Sequence, residues 1–181
     1  MKSVFPLLCL LCIVGACLWS CEPYQRYSEI PEIRFKKLVF VDSIDHPDLG
    51  NLVKYAVLTF SFVDGDGDIG VRTRHDSISK IHWTWFKQLP DGTYEPYQFP
   101  ITGSINDSTA IPYGSVMNKD EAHNKTLRGS IKKAIEAPSN LEDADVMHIK
   151  FHIFDRARNK SNVEQTPDFS ILNPPDELLA K

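Results

Sequence analysis

Within the stretch 146-VMHIKFHIF-154 the residues from 147 to 153 alternate: Met147, Ile149, Phe151 and Ile153 fall on one side, and His148, Lys150 and His152 fall on the other. Side chains along a strand point to opposite faces in turn, so a period of two predicts a strand with one buried and one wetted face. His148 and His152 share the wetted side. Four residues of strand span about 13 Å at roughly 3.3 Å per residue, too far for one metal ion to bridge. The two histidines are therefore read as part of a solvated polar face, which His82 or His123 would reach only through tertiary folding.

The same period recurs on either side of this stretch. In 54-KYAVLTFSFV-63, Ala56, Leu58, Phe60 and Phe62 share one face, and Tyr55, Val57, Thr59 and Ser61 the other. In 80-KIHWTWFKQ-88, Ile81, Trp83 and Trp85 align, and 33-IRFKKLVFV-41 is strand-like. Leu127 to Ala137 suits a strand through Leu127, Gly129, Ile131 and Ile135, or a short helix through Ile131, Ala134 and Ile135; the strand is preferred. Turn signals separate these runs at Pro90-Asp91-Gly92, Thr102-Gly103-Ser104, Asn106-Asp107-Ser108 and Pro138-Ser139-Asn140. Short strands with this punctuation predict an all-β fold, an antiparallel β-sandwich of about seven strands.

The N-terminus is of a different kind. Lys2 is followed by an almost wholly apolar run from Val4 to Leu18, the pattern of a secretory signal peptide, with an N-terminal membrane anchor as the alternative. The run ends at Leu18-Trp19-Ser20-Cys21, which is similar to the bacterial lipobox. Val14-Gly15-Ala16-Cys17 fits the same pattern. Lipidation is expected at Cys21, with Cys17 as the alternative, and the membrane affinity would then come from lipid chains rather than a spanning helix. Residues 1–20 are assigned to the signal, 21–32 to a lipidated tether containing Pro23 and Pro31, and 33–181 to the sandwich. All four cysteines (9, 12, 17 and 21) precede the sandwich. No disulfide within it and no thiolate metal cluster can form, so its stability must come from its core. The net charge of −4 for 20 basic and 24 acidic residues argues against a nucleic-acid partner.

Three aspartates spaced two apart, Asp64, Asp66 and Asp68, lie in 61-SFVDGDGDIGVR-72. Alternate acids on a glycine-rich backbone can converge on a cation, and Ca²⁺ takes six to eight oxygens. The loop is not an EF-hand: counting from Asp64, position 6 is Ile69 rather than Gly and position 12 is His75 rather than Glu. Two readings stay open. One is a calcium site completed by Asp76 or a distant loop. The other is a structural turn whose acids bond backbone N–H groups or pair with Arg72 and Arg74.

Trp83 and Trp85 are expected in the core. Tyr94, Tyr97, Phe99 and Tyr113 fall at strand ends or in loops and are candidate ligand contacts, since exposed aromatics beside polar groups stack on sugars or anchor proteins. No nucleophile elbow, zinc-protease helix, phosphate loop or dinucleotide fingerprint is present, and no enzymatic activity is expected. A carboxylate pair for hydrolysis remains an alternative, because it needs only separation in space. Asp42-Ser43-Ile44, Asp76-Ser77-Ile78 and Asp107-Ser108-Thr109 resemble a bacterial O-glycosylation sequon on loop-like segments.

Three segments together carry a family resemblance: 60-FSFVDGDGDIG-70, 124-NKTLRGSI-131 and 154-FDRARNKSNV-163 with Thr166-Pro167. They resemble a family of small Bacteroidetes lipoproteins of unknown function, marked by a D-G-D-G-D-[IL]-G loop and a D-R-A-x-N-K-S-N segment. The last segment also resembles the D-x-A-G-N-x-S turn in the final hairpin of immunoglobulin-like and fibronectin-like domains, with Arg158 where Gly is usual. Asp155 and Asn159 are suited to hold that reversal by bonding backbone N–H groups. The resemblance implies an immunoglobulin-like sandwich, lipid-anchored to the outer membrane. Such a protein is expected to act as a non-enzymatic binding or assembly module for an envelope protein or glycan, with a glycan-binding accessory of a nutrient-uptake system as an alternative.

Overall fold

The computed structural model describes residues 27–45, 50–71, 79–100, 102–112, 126–138, 145–175 and 178. The signal segment, Cys17, Cys21, Arg72, Arg74, Asp76, Tyr113 and His123 lie outside the described residues. Eight strands are present among those described: β1 (Glu32–Asp45), β2 (Asn51–Asp64), β3 (Lys80–Gln88), β4 (Tyr94–Pro96), β5 (Asn106–Ala110), β6 (Leu127–Glu136), β7 (Met147–Phe154) and β8 (Glu164–Gln165). They form two antiparallel sheets. One has the order β1-β2-β6, the other β4-β3-β7-β8 with β5 also on β3. β1, β2 and β6 take the A, B and E places, and β3, β7 and β8 the C, F and G places, of an immunoglobulin-like sandwich. The fully buried Trp85 sits on the C-place strand.

The alternation in the sequence is the alternation of burial. Ala56, Leu58, Phe60 and Phe62 of β2 face Trp83, Trp85, Ile149 and Phe151 across the core, all of them buried. Phe60 meets Phe151 at 5.2 Å between ring centres. β6 is a strand along its whole length, with Ile131 and Ile135 inward. Gly129 of β6 faces the Phe62 ring, where a Cβ would come within 3.1 Å.

β1 breaks the period. Its register with β2 shifts between Phe35 and Lys37, a β-bulge at Lys36. The inward set therefore changes from Ile33 to Leu38 and Phe40, from odd to even numbers. One extra residue does this because side chains alternate strictly on either side of it.

Two expectations are corrected. His148 is 2% exposed rather than solvated. The rings of Phe86 and Tyr94 cover it at 5.2 and 4.4 Å: Phe86 is its register partner on β3, and Tyr94 comes from β4, the next strand of the same sheet. His152 is half-buried, and the β3–β7 register sets it directly opposite His82, with the rings stacked at 5.2 Å. Of the sequon-like triplets, Ser43 lies within β1 and Ser108 within β5, in strands rather than loops.

Candidate functional site

β2 ends at Asp64, and the chain must leave the sheet without losing its core contacts. Ile69 plugs the sandwich five residues later, fully buried. Between them the backbone reverses through Gly67 (φ 69°), and it passes on through Gly70 (φ 97°), both in the left-handed region that glycine tolerates. Gly70 N–H donates to the buried Ser79 Oγ at 2.8 Å. Gly65 is needed for a different reason. A Cβ there would lie 2.4 Å from Tyr27 O and 2.5 Å from Ser28 O. Its N–H donates to Ser28 O at 2.8 Å. The part of residues 21–32 that is described is thus docked on the acidic loop, and Pro31 is buried.

The Asp64 side chain is wholly buried. Its Oδ2 accepts Asp68 N–H at 2.8 Å and Ile69 N–H at 3.2 Å. Asp68 Oδ2 accepts Ala157 N–H at 2.8 Å. One carboxylate oxygen each from Asp64, Asp66 and Asp68 lies within 4.8 Å of the others. Oδ1 of all three is buried without a hydrogen-bond partner. Among the described residues, no other group of three His, Cys, Asp or Glu side chains is close enough to share an ion. Burial, and next the Asp66 carboxylate, push the Asp64 carboxyl up from 3.8 to about 7. Burial, and then the charges of Asp155 and Asp66, raise Asp68 as well.

The 155–159 turn leans on this loop. Arg156 N–H donates to Asp68 O at 3.3 Å, and its guanidinium Nη1 donates to Gly70 O at 2.9 Å. Within the turn, Asp155 Oδ1 accepts Asn159 N–H at 2.7 Å and Oδ2 accepts Asn159 Nδ2 at 2.9 Å. Arg158 takes the left-handed conformation (φ 72°) at the place where glycine is usual, so the expected reversal forms. β6 starts alongside, with Leu127 paired to Asp64 and the Arg128 guanidinium 4.1 Å above the Tyr27 ring. The loop, the start of β6 and the 155–163 segment therefore meet at one end of the sandwich, although about 60 and 90 residues of chain separate them from the loop.

Asn162 closes the D-R-A-x-N-K-S-N segment but had no assigned role, and Glu164 lies just beyond it. Asn162 Oδ1 accepts Ile33 N–H at 2.8 Å, its Nδ2 donates to Ile33 O at 2.9 Å, and Glu164 Oε2 accepts Phe35 N–H at 2.9 Å. They pin β1, in one sheet, to the chain entering β8, in the other. Their period-two spacing marks them as one face of an extended segment, but nothing in the pattern says which strand they will meet.

The candidate aromatics separate. Tyr94 is half-buried, with its hydroxyl donating to Asp168 Oδ2 at 2.8 Å. Asp168 Oδ1 lies 3.1 Å from His148 Nδ1. Burial lowers the His148 pKa against the upward pull of Asp168, and Nε2 is left buried without a partner. Tyr97 and Phe99 pack edge to face at 5.3 Å, half-buried against the core. A depression of about 210 Å³ is lined by Tyr27, Glu32, Arg34, Ser61, Phe62 and Val63. It is smaller than the roughly 300–1,000 Å³ usual for small-molecule sites.

Compared with models of protein families, with curated proteins and with solved structures, the chain finds no match.

Proposed function

We propose that this chain is an exported lipoprotein, anchored to the outer membrane through Cys21 (or Cys17), whose immunoglobulin-like sandwich acts as a non-enzymatic binding or assembly module. The anchor rests on the apolar N-terminal run, its terminal cysteines and the resemblance to small Bacteroidetes lipoproteins.

The observation that favours binding over catalysis is the geometry of the acidic cluster. A carboxyl raised to about 7 beside other acids is the signature a carboxylate hydrolase would carry. Glycoside hydrolysis, however, needs its two carboxyl groups about 5–9.5 Å apart with substrate between them. Here the oxygens lie within 4.8 Å of one another and Asp64 is 0% exposed, so no substrate fits between them.

The test is purification of the full-length protein from its native envelope after chemical crosslinking, with mass spectrometry of both the partners and the N-terminal peptide. A diacylated Cys21 and a reproducible envelope partner are the expected results. An unmodified N-terminus would overturn the anchor. Recovery of the chain alone in repeated experiments would overturn the assembly role.

A second reading, a glycan-binding accessory, is favoured by Tyr94. Its ring is held over His148 while its hydroxyl is fixed by Asp168, and a pre-oriented, half-exposed aromatic of this kind suits sugar stacking. Retardation on polysaccharide affinity gels that disappears with Tyr94→Ala would favour this reading.

A further inference from the structure

The geometry points to a calcium site in which one carboxylate oxygen each from Asp64, Asp66 and Asp68 binds a single Ca²⁺. This inference concerns the sandwich alone and does not depend on the anchor or on any partner.

Three acids in one loop are no site by themselves, since surface loops often carry such clusters. Asp64 sets this loop apart. Its side chain is 0% exposed, it sits among two other acids, and its Oδ1 has no donor. Ionised side chains buried to this degree are paired or bound to metals, because stripping a carboxylate of water without compensation is unfavourable. Oδ1 of Asp66 and of Asp68 is buried and without a donor as well.

The alternatives to an ion fail by counting. Each orphaned oxygen needs a donor. A proton shared between Asp64 and Asp66 would serve at most two of the three bare oxygens and would leave Asp68 Oδ1 without a donor. A water has two hydrogens, so a single water leaves one oxygen bare and adds no positive charge. The Arg156 guanidinium, which lies close enough to act on Asp68, directs Nη1 to Gly70 O. Asp155, whose charge acts most strongly on Asp68, has both of its oxygens occupied by Asn159.

The donor set selects the ion. All three ligands are carboxylate oxygens, which suit hard cations rather than zinc or copper. Ca²⁺ binds oxygen at about 2.3–2.6 Å, so two oxygens on one ion stand at most about 4.6–5.2 Å apart. The observed cluster, with its oxygens within 4.8 Å of one another, is compatible with that spacing. Mg²⁺, at about 2.0–2.1 Å and near-octahedral, would require oxygens no more than about 4.2 Å apart. Ca²⁺ also accepts irregular spheres of six to eight oxygens, which leaves room for waters beside the three carboxylates.

Calorimetric titration and thermal melting of the full-length chain test this, with CaCl₂, with MgCl₂ and after EDTA. Calcium in the low millimolar range is expected to give a saturable heat and to raise the melting temperature by several degrees. Magnesium is expected to do less. Asp66→Asn is the variant of choice, because no backbone N–H depends on the Asp66 side chain among the bonds described. It should fold with an unchanged or higher ion-free melting temperature and lose at least tenfold in calcium affinity. Asp68→Asn, whose remaining oxygen can still accept Ala157 N–H, serves as the second variant. Absence of both heat and shift in the wild type at about 10 mM Ca²⁺, ten times the weakest extracellular affinities, would overturn the site. So would an undiminished response in both variants. A magnesium response equal to or larger than that of calcium would overturn the assignment of the ion.

Discussion

Asp64 and Asp155 close two core strands in nearly the same way. Each follows an inward-facing run, each is 0% exposed, and each accepts the N–H of the residue four positions on. They differ in what that fourth residue is. After Asp155 it is Asn159, whose side-chain amide donates to the second carboxylate oxygen. After Asp64 it is Asp68, another acid, and the second oxygen is left bare. One turn is completed by its own chain. The other is the same device with a carboxylate where the amide should be, and no donor reaches its second oxygen. A single atom type, nitrogen or oxygen at the end of one side chain, separates a structural turn from a site that needs a ligand.

Exchanging that atom type should exchange the behaviour of the loops. Asn159→Asp would set a carboxylate against Asp155, with Asp68 nearby. It should destabilise the fold by about 3 kcal/mol at neutral pH, because it removes a donor and sets a like charge beside the buried Asp155. Urea unfolding reads this directly, and an unchanged midpoint would break the comparison. The reverse change, Asp68→Asn, gives the Asp64 loop its missing amide. The ion-free protein should gain about 1–2 kcal/mol at pH 8, while the difference between calcium and EDTA disappears. A variant less stable than the ion-free wild type would mean that the two turns are not equivalent.

Arg158→Gly sharpens the comparison at the other turn. It relieves a left-handed non-glycine residue worth roughly 1–2 kcal/mol, against about 0.5–1 kcal/mol of added chain entropy in the unfolded state. A net gain of about 0.5–1 kcal/mol is expected in the same unfolding assay, with no change in the calcium response.

The last effect appears only in acid, at the stacked histidines. Burial, and next Lys160, push His152 down from 6.5 to about 4. Between these values the unfolded chain binds a proton that the folded chain refuses. The stability His152 contributes is therefore complete above pH 6.5 and is lost as pH falls towards 4. His152→Gln should flatten the pH dependence of the unfolding midpoint over that window. Asp64 runs the other way in the ion-free protein: its pKa is raised from 3.8 to about 7, so its contribution is complete below 3.8 and is lost as pH rises to about 7.

The strands were legible in the sequence because burial on one face of a sheet writes a period of two into the chain. The inward residues of β2, β3 and β7 are those that the alternation in 54–63, 80–88 and 146–154 marks. Where a backbone irregularity intervenes, the period misleads: the bulge at Lys36 moves the inward set of β1 from odd to even positions. Outward faces were less legible. His148 alternates like a solvated residue, and only the rings of Phe86 and Tyr94, delivered by a hairpin, close it off.

At the candidate site the three aspartates and the need for glycine were visible, since both are local. That Asp64 would keep one oxygen bare was not. It depends on Ile69 anchoring in the core and on a turn about 90 residues away laying Ala157 N–H on Asp68. Period and spacing carry no information about such an encounter.

The docking of Ser28 on Gly65 also fixes a length. With the proposed anchor at Cys21, six residue steps separate the lipid from Tyr27, where the chain meets the sandwich. At no more than about 3.6 Å per residue, the six steps from Cys21 to Tyr27 reach roughly 20 Å. A leash that short would not let the sandwich wander through the envelope. It would hold the sandwich near the lipid surface, with the acidic corner the part closest to the anchor.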